Sequence, residues 1–175
     1  MCKILHIFFI LVKNNIDNLN YQINLNGEYV MKVKDCMCNE VEYATPSNTV
    51  HDCATIMSNK HVGCIPVCNN SQNVVGLVTD RDIILRCIAC NKDPNTTPIS
   101  EIMTCEVCCC DANADVKEAE NLMSKNQVKR IPIIEDNKLI GMLTLGDLAA
   151  NSKINETNLG NTLGCICGCD KKNAQ

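Results

Sequence analysis

Tryptophan is absent from this chain, and two phenylalanines and three tyrosines are its only aromatic residues among 175. A core without bulky rings has to be filled by Ile, Val, Leu, Met and Cys. The same scarcity removes the platforms on which unpaired bases stack. There is no basic stripe, and the formal net charge is −4, so a nucleic-acid partner is not expected. The apolar run Ile4 to Val12, broken by His6, is too short for a bilayer, which takes about 20 residues. No membrane association is expected from it. The Lys13-Asn14-Asn15 stretch that follows offers no small-residue cleavage site for a secretory leader. The three histidines, His6, His51 and His61, have no evident nucleophile or acid partner, so a catalytic role is not expected.

Cysteine, by contrast, is plentiful. Its fifteen copies are an odd number, and clusters such as Cys108-Cys109-Cys110 and Cys165, Cys167, Cys169 do not resemble a secreted disulfide framework. Several fall on apolar stripes, where a free thiol packs as a small hydrophobe. Cysteine usage therefore points to a reducing, cytoplasmic setting. Cys87-x-x-Cys90 followed by Cys105-x-x-Cys108 approximates a four-thiolate zinc spacing. Neither pair has the glycine turn that frames a metal knuckle, and Cys87 lies on an inward stripe. No metal is assigned, with Cys165, Cys167 and Cys169 as weak candidates for a soft ion or for oxidation.

The chain also repeats itself. Val33-Lys34-Asp35-Cys36-Met37 returns as Ile99-Ser100-Glu101-Ile102-Met103, and Ile65-Pro66-Val67 as Ile131-Pro132-Ile133. Gly76-Leu77-Val78-Thr79-Asp80-Arg81-Asp82 returns as Gly141-Met142-Leu143-Thr144-Leu145-Gly146-Asp147. Landmarks in one order at a nearly constant offset mean a duplicated unit. Each unit is too small to bury its own apolar face, so the halves should pack across a pseudo-twofold.

Within repeat one, Lys34 to Met37 reads as a helical lead-in and Val41 to Ala44 as a brief strand. Val50, Cys53, Ala54 and Met57 form a helical stripe. Cys64 to Cys68 and Val74 to Val78 form a hairpin, and a second helix from Thr79 turns Ile83, Ile84, Cys87 and Ile88 inward. Repeat two follows with Val116, Ala119 and Met123 on a helix, a hairpin of 130–134 and 139–143, and a helix over 146–150. The expected fold is α+β, two β-α-β-β-α repeats. Residues 1–30 form an extension outside the fold, 31–90 repeat one, 91–98 a linker, 99–150 repeat two and 151–175 a mobile, Cys-containing tail. Gly27-Glu28 before Met31 can be encoded by a purine-rich ribosome-binding sequence. On that ground residues 1–30 are expected to be an upstream region read as coding, which the intact mass of the native protein would check.

A lead-in ending in Met, an Ile-Pro-Val strand and a Gly-h-h-Thr-x-x-Asp junction together resemble the CBS domain, named after cystathionine β-synthase. Two in tandem resemble the CBS pair, or Bateman module, and the likeness spans residues 33–150. The resemblance implies a regulatory module, not an enzyme, with an adenine nucleotide (AMP, ADP, ATP or an adenosyl derivative) as ligand and no required cofactor. It also implies a homodimer and an unidentified regulated protein.

Thr79 with Asp82, and Thr144 with Asp147, stand at helix starts with capping-box spacing. A carboxylate there also has acceptor capacity for a ribose diol. The resemblance places Ala44 and Thr45, and by alignment Cys110 and Asp111, against the base. Ile65-Pro66 and Ile131-Pro132 would supply apolar walls, with neighbouring backbone groups free for a base edge. Arg130 is read either as the phosphate partner or as a strand-edge charge. Its counterpart is Cys64, preceded by Gly63, so the two clefts are not equivalent, and Asp111 would repel a phosphate if it faced its cleft. Arg81 and Arg86 read as surface charges. Two other classes stay open: a thiol-based metal or redox sensor on the same scaffold, and an interaction module whose clefts bind nothing.

Overall fold

The computed structural model describes residues 22–23, 29–151 and 156–168. Two short strands, β1 (Gln22–Ile23) and β2 (Tyr29–Val30), pair antiparallel ahead of the repeats. The rest of the proposed extension, residues 1–21 and 24–28, lies outside the described residues. Among the described residues, no helix is long and apolar enough to cross a membrane.

Repeat one contains helix α1 (Val50–Lys60), strands β3 (Cys64–Cys68) and β4 (Val74–Thr79), and helix α2 (Asp80–Asp82), which runs on as a π-helical segment, Ile83–Ile88. Repeat two contains β5 (Cys110–Asp111), α3 (Val116–Asn126), β6 (Arg130–Glu135), β7 (Lys138–Thr144) and α4 (Leu145–Ala150). The stripes fall as the periodicity requires. Val50, Cys53 and Met57 are buried on α1, and Val116, Ala119 and Met123 on α3. Both hairpins carry a register shift at the same place, between Val67 and Cys68 and between Ile133 and Ile134. Of the strand expected over 41–44, only Ala44 pairs, parallel to Val67; in repeat two, β5 takes the same place beside β6.

The lead-ins are exchanged. The 3-10 turn Val33–Asp35 precedes repeat one, yet Val33 is fully buried in the core of repeat two with Val116, Ile131, Ile133 and Leu143. The matching turn Ile99–Glu101 sends Ile99 and Ile102 into the core of repeat one, with Val50, Ile65, Val67 and Val78. The backbone bonds are reciprocal. Cys38 and Met142 exchange two at 2.9 and 3.0 Å, and Thr104 and Leu77 two at 2.9 Å. Each half thus contributes an edge to the other's hairpin, which gives physical content to the pseudo-twofold. Glycine makes the crossing possible. A Cβ at Gly76 would stand 2.5 Å from Met103 Sδ, and one at Gly141 2.8 Å from the Cys38 carbonyl oxygen.

Two expectations are corrected. Ile84 and Ile88 are not inward: they are 59% and 53% exposed, and only Cys87 of that face is fully buried. The π winding between Ile83 and Ile88 rotates the later side chains off the ordinary helical stripe. Nor is the stretch after Ser152 a loose tail throughout. Helix α5 (Glu156–Gly168) packs against α3 and α4, with Ile166 buried in the repeat-two core and Leu159 against it. Leu159, Thr162, Leu163 and Ile166 keep helical spacing, and Thr162 and Ile166 are the buried pair.

Candidate functional site

Both Thr-x-x-Asp elements form complete capping boxes, because each strand ends on the threonine and a helix begins at once. Thr144 donates to Asp147 Oδ2 from its backbone N–H and from Oγ1, both at 2.8 Å, and Thr144 Oγ1 accepts from the Asp147 N–H at 3.1 Å. Thr79 and Asp82 repeat the pattern at 2.9, 2.7 and 3.2 Å. Such caps contribute about 1 kcal/mol each. They also fix the carboxylate rotamers, which ties helix formation to site geometry.

Beyond the cap the two differ. Asp147 Oδ1 has no partner among the described residues, and Asp147 lines a cleft of about 1100 Å³ between the repeats. Repeat two lends this cleft Lys129, Arg130, Met142 and the helix start 144–147. Repeat one lends segments 38–42 and 60–64, brought opposite by the lead-in exchange. Val41, Val62, Met142 and Leu145 provide apolar wall; Lys129 and Arg130 bring positive charge, Glu40 negative charge, and Glu42 is paired with Lys60 at 3.1 Å.

Arg130 faces Thr144 across the β6–β7 ladder, and its Nη1 donates to the Gly63 carbonyl of repeat one at 3.2 Å. That partner is neutral, and Arg130 forms no salt bridge among the described residues. Burial pushes the neighbouring Cys64 thiol from its ordinary 9.0 up to about 11, against the pull of Arg130 itself. The thiol therefore stays protonated at neutral pH and leaves the guanidinium charge unspent. The cleft offers a carboxylate edge, an uncompensated planar cation and apolar wall, which together suit a sugar diol joined to an anion and a flat base.

The other expected site residues lie elsewhere. Ile65, Pro66, Ile131, Pro132, Cys110 and Ala44 are buried in the two hairpin cores. The Pro66 carbonyl, expected to be free for a base edge, accepts from the Ala44 N–H at 2.9 Å. Thr45 Oγ1 donates to Asn48 Oδ1 at 2.9 Å, within its own turn. Asp111 is exposed and its Oδ1 accepts from the Asn113 N–H at 2.8 Å, so its charge is spent on a turn. Gly63 and Cys64 do line the cleft, but it is the cleft carrying Asp147.

Sequence reasoning missed segments 38–42 and 60–62, together with Lys129, Met142 and Leu145. Lys129 could have been found, since it aligns with Gly63 just as Arg130 aligns with Cys64. His61, for which no catalytic role is expected, is exposed and lines this cleft, at the left-handed C-cap of α1. His6 lies outside the described residues.

The thiol constellation does not assemble. Among the described residues, no three His, Cys, Asp or Glu side chains stand together as metal ligands. Cys87 Sγ donates to the Lys92 carbonyl and Cys90 Sγ to the Leu85 carbonyl, each at 3.5 Å. Cys165 and Cys167 are exposed on α5, and Cys169 is outside the described residues.

Comparison with known proteins adds four findings. Residues 33–88 and 99–153 each match the CBS domain. The CBS domain-containing protein YhcV of Bacillus subtilis is 40% identical over 126 residues, 71% of this chain and 88% of that protein. The crystal structure of Hypoxic Response Protein I with two coordinated zinc ions is similar at a TM-score of 0.63 and 32% identity, covering 68% of this chain and 97% of the other. The CBS domain pair of protein MJ0100, in complex with 5′-methylthioadenosine and S-adenosyl-L-methionine, is similar at a TM-score of 0.62 and 25% identity, covering 69% and 94%.

Proposed function

Because this chain belongs to the CBS-domain family and carries two such domains in tandem, we propose that it is a regulatory module whose inter-repeat cleft binds an adenine nucleotide or related adenosyl ligand. The observation that carries this reading is the pairing of Asp147 Oδ1, without a protein partner among the described residues, with the uncompensated Arg130 in one cleft. A neighbour of the same fold binds adenosyl compounds, which supports the class of ligand. The ribose hydroxyls donate to Asp147, Arg130 and Lys129 meet the phosphate, and Val41, Val62, Met142 and Leu145 cover the base.

The signal is a population shift. The cleft draws on both repeats, so a ligand that bridges them favours one inter-repeat geometry over another. A homodimer belongs to this reading. Ile84, Leu85 and Ile88 lie exposed together on the second helix of repeat one, and burying them between two copies removes apolar surface from water. The regulated protein and a cytoplasmic location are part of the same proposal.

The buried thiols give the thiol-sensor alternative no support: those of Cys53, Cys68 and Cys110 are pushed up to about 11, so they are poor metal ligands and poor nucleophiles at neutral pH. Its candidates Cys165 and Cys167 are exposed on α5, where no third metal-ligating side chain joins them among the described residues.

Thermal unfolding against AMP, ADP, ATP, adenosine and S-adenosylmethionine tests the proposal. At a hundredfold excess over its dissociation constant, the bound ligand stabilises the fold by about 2.7 kcal/mol. Asp147→Ala removes that response. A panel that leaves the wild-type midpoint unmoved contradicts the reading and favours an interaction module with unfilled clefts.

A further inference from the structure

The acid of repeat one is already spoken for. Asp82 Oδ2 is held by Thr79, and Arg86 Nη1 lies 3.4 Å from Asp82 Oδ1. The same Arg86 nitrogen donates to the Ile102 carbonyl at 2.8 Å and to Thr104 Oγ1 at 3.2 Å. Ile102 and Thr104 belong to the exchanged lead-in of repeat two, so Arg86 ties the carboxylate of one half to the chain segment of the other. The offset that takes Asp82 to Asp147 takes Arg86 to Asn151. No cation can reach Asp147 from there, because Asn151 is neutral and its Nδ2 donates to Met31 Sδ at 3.6 Å.

The surroundings of the two acids also differ in charge. Where repeat two has Lys129, Arg130 and Leu145, repeat one has Gly63, Cys64 and Asp80. The Asp80 carboxylate lies directly over Gly63, so that a Cβ on residue 63 would stand 2.7 Å from Asp80 Oδ2. The two positions that carry cations in repeat two are thus neutral in repeat one, with the Asp80 carboxylate beside them, and the nearest cation of that set, Arg130, is turned to the Gly63 carbonyl in the Asp147 cleft. Arg81 on the same turn is exposed, and it is its backbone N–H that meets Asp80, at 2.7 Å. A phosphate near Asp82 would meet negative charge, and a diol would have to displace Arg86.

We propose that this chain has one adenosyl-anion site rather than two: Arg86 fills the repeat-one acid from within, and Asp82 serves as a strut between the halves. This rests on the ligand reading given above. It also assigns the twinned motifs different work, with Asp147 binding ligand and Asp82 holding the repeats in register. The pair is shielded on the side of the acid, the Asp82 side chain being 14% exposed and that of Arg86 48%.

Calorimetric titration of the full chain with AMP, alongside ligand-free thermal unfolding, tests the proposal. The expected stoichiometry is one AMP per chain. Asp82→Asn leaves the affinity within about twofold, whereas Asp147→Asn weakens it by about tenfold or more. Without ligand, Asp82→Asn and Arg86→Gln each lower the unfolding midpoint, and the double variant loses less than the sum of the two. Two AMP per chain, or an Asp82→Asn loss equal to that of Asp147→Asn, overturns the proposal. So does strict additivity of the two stability losses, which is measured whether or not AMP binds. Failure of AMP to bind the wild type, with the coupling intact, counts against the ligand reading and leaves the strut standing.

Discussion

Between about pH 9 and pH 11 the reduced protein loses stability as pH rises. The cause is the use of cysteine where other cores use larger hydrophobes. Burial pushes the thiols of Cys36, Cys53, Cys64, Cys68 and Cys110 from the ordinary 9.0 up to about 11. In the unfolded chain these groups release their protons near pH 9; in the folded chain they hold them until about 11. Through that window the unfolded state binds fewer protons, so each rise in pH favours unfolding, and below it the full stability is present. A shift of two units is worth at most about 2.7 kcal/mol per group. Cys36 is only half-buried, so its share is reduced by solvent. Together the four buried thiols, Cys53, Cys64, Cys68 and Cys110, draw on a sizeable part of the roughly 5–15 kcal/mol that holds a domain together. Thermal midpoints measured in reductant across this range fall steeply from about pH 9. A midpoint unchanged between about pH 8 and pH 10 contradicts the account of the core.

Val33→Asp unfolds repeat two, not the repeat whose sequence it precedes. Val33 is fully buried, its N–H donates to the Ala114 carbonyl at 3.0 Å, and it packs with Ile131, Ile133 and Leu143. An unpaired carboxylate placed there costs about 3–5 kcal/mol. Hydrogen exchange locates the damage: amides of β6 and β7 lose protection first, while those of β3 and β4 hold. Ile99→Asp reverses the pattern, because Ile99 lies in the core of repeat one. If Val33→Asp instead exposes β3 and β4, the lead-ins are not exchanged in solution.

The exchange also marks what could be read in the sequence and what could not. The hairpins, helices α1 and α3, and the capping boxes at Thr79 and Thr144 follow from local pattern, since they need only alternation, helical spacing and a threonine three residues before an aspartate. Which repeat receives Val33 is a matter of long-range pairing, and no local signal carries it. For the same reason segments 38–42 and 60–62 were absent from the expected site, although Thr144, Asp147, Arg130, Gly63 and Cys64 were in it.

Arg86 shows the reverse failure. A lone arginine on an exposed helix reads as a surface charge, and only the crossing of Ile102 and Thr104 beneath it gives it a partner. Helix α5 was legible in its Leu159, Thr162, Leu163, Ile166 spacing. Gly160, Gly164 and Gly168 weaken helix propensity enough to hide it. Glu120 stands next to Ala119 on α3 and is buried with Oε1 unpartnered among the described residues, where repeat one has Ala54. Pattern alone would have placed a glutamate outward.

The central claim is that the Asp147 carboxylate accepts a sugar diol, and it is tested most directly by comparing AMP with 2′,3′-dideoxy-AMP in calorimetric titration. A hydrogen bond to a charged group is worth about 1.5–3 kcal/mol, so removing both hydroxyls weakens binding to the wild type by at least about tenfold. In Asp147→Ala the two ligands bind alike. Equal affinity of the wild type for the two nucleotides would contradict the account.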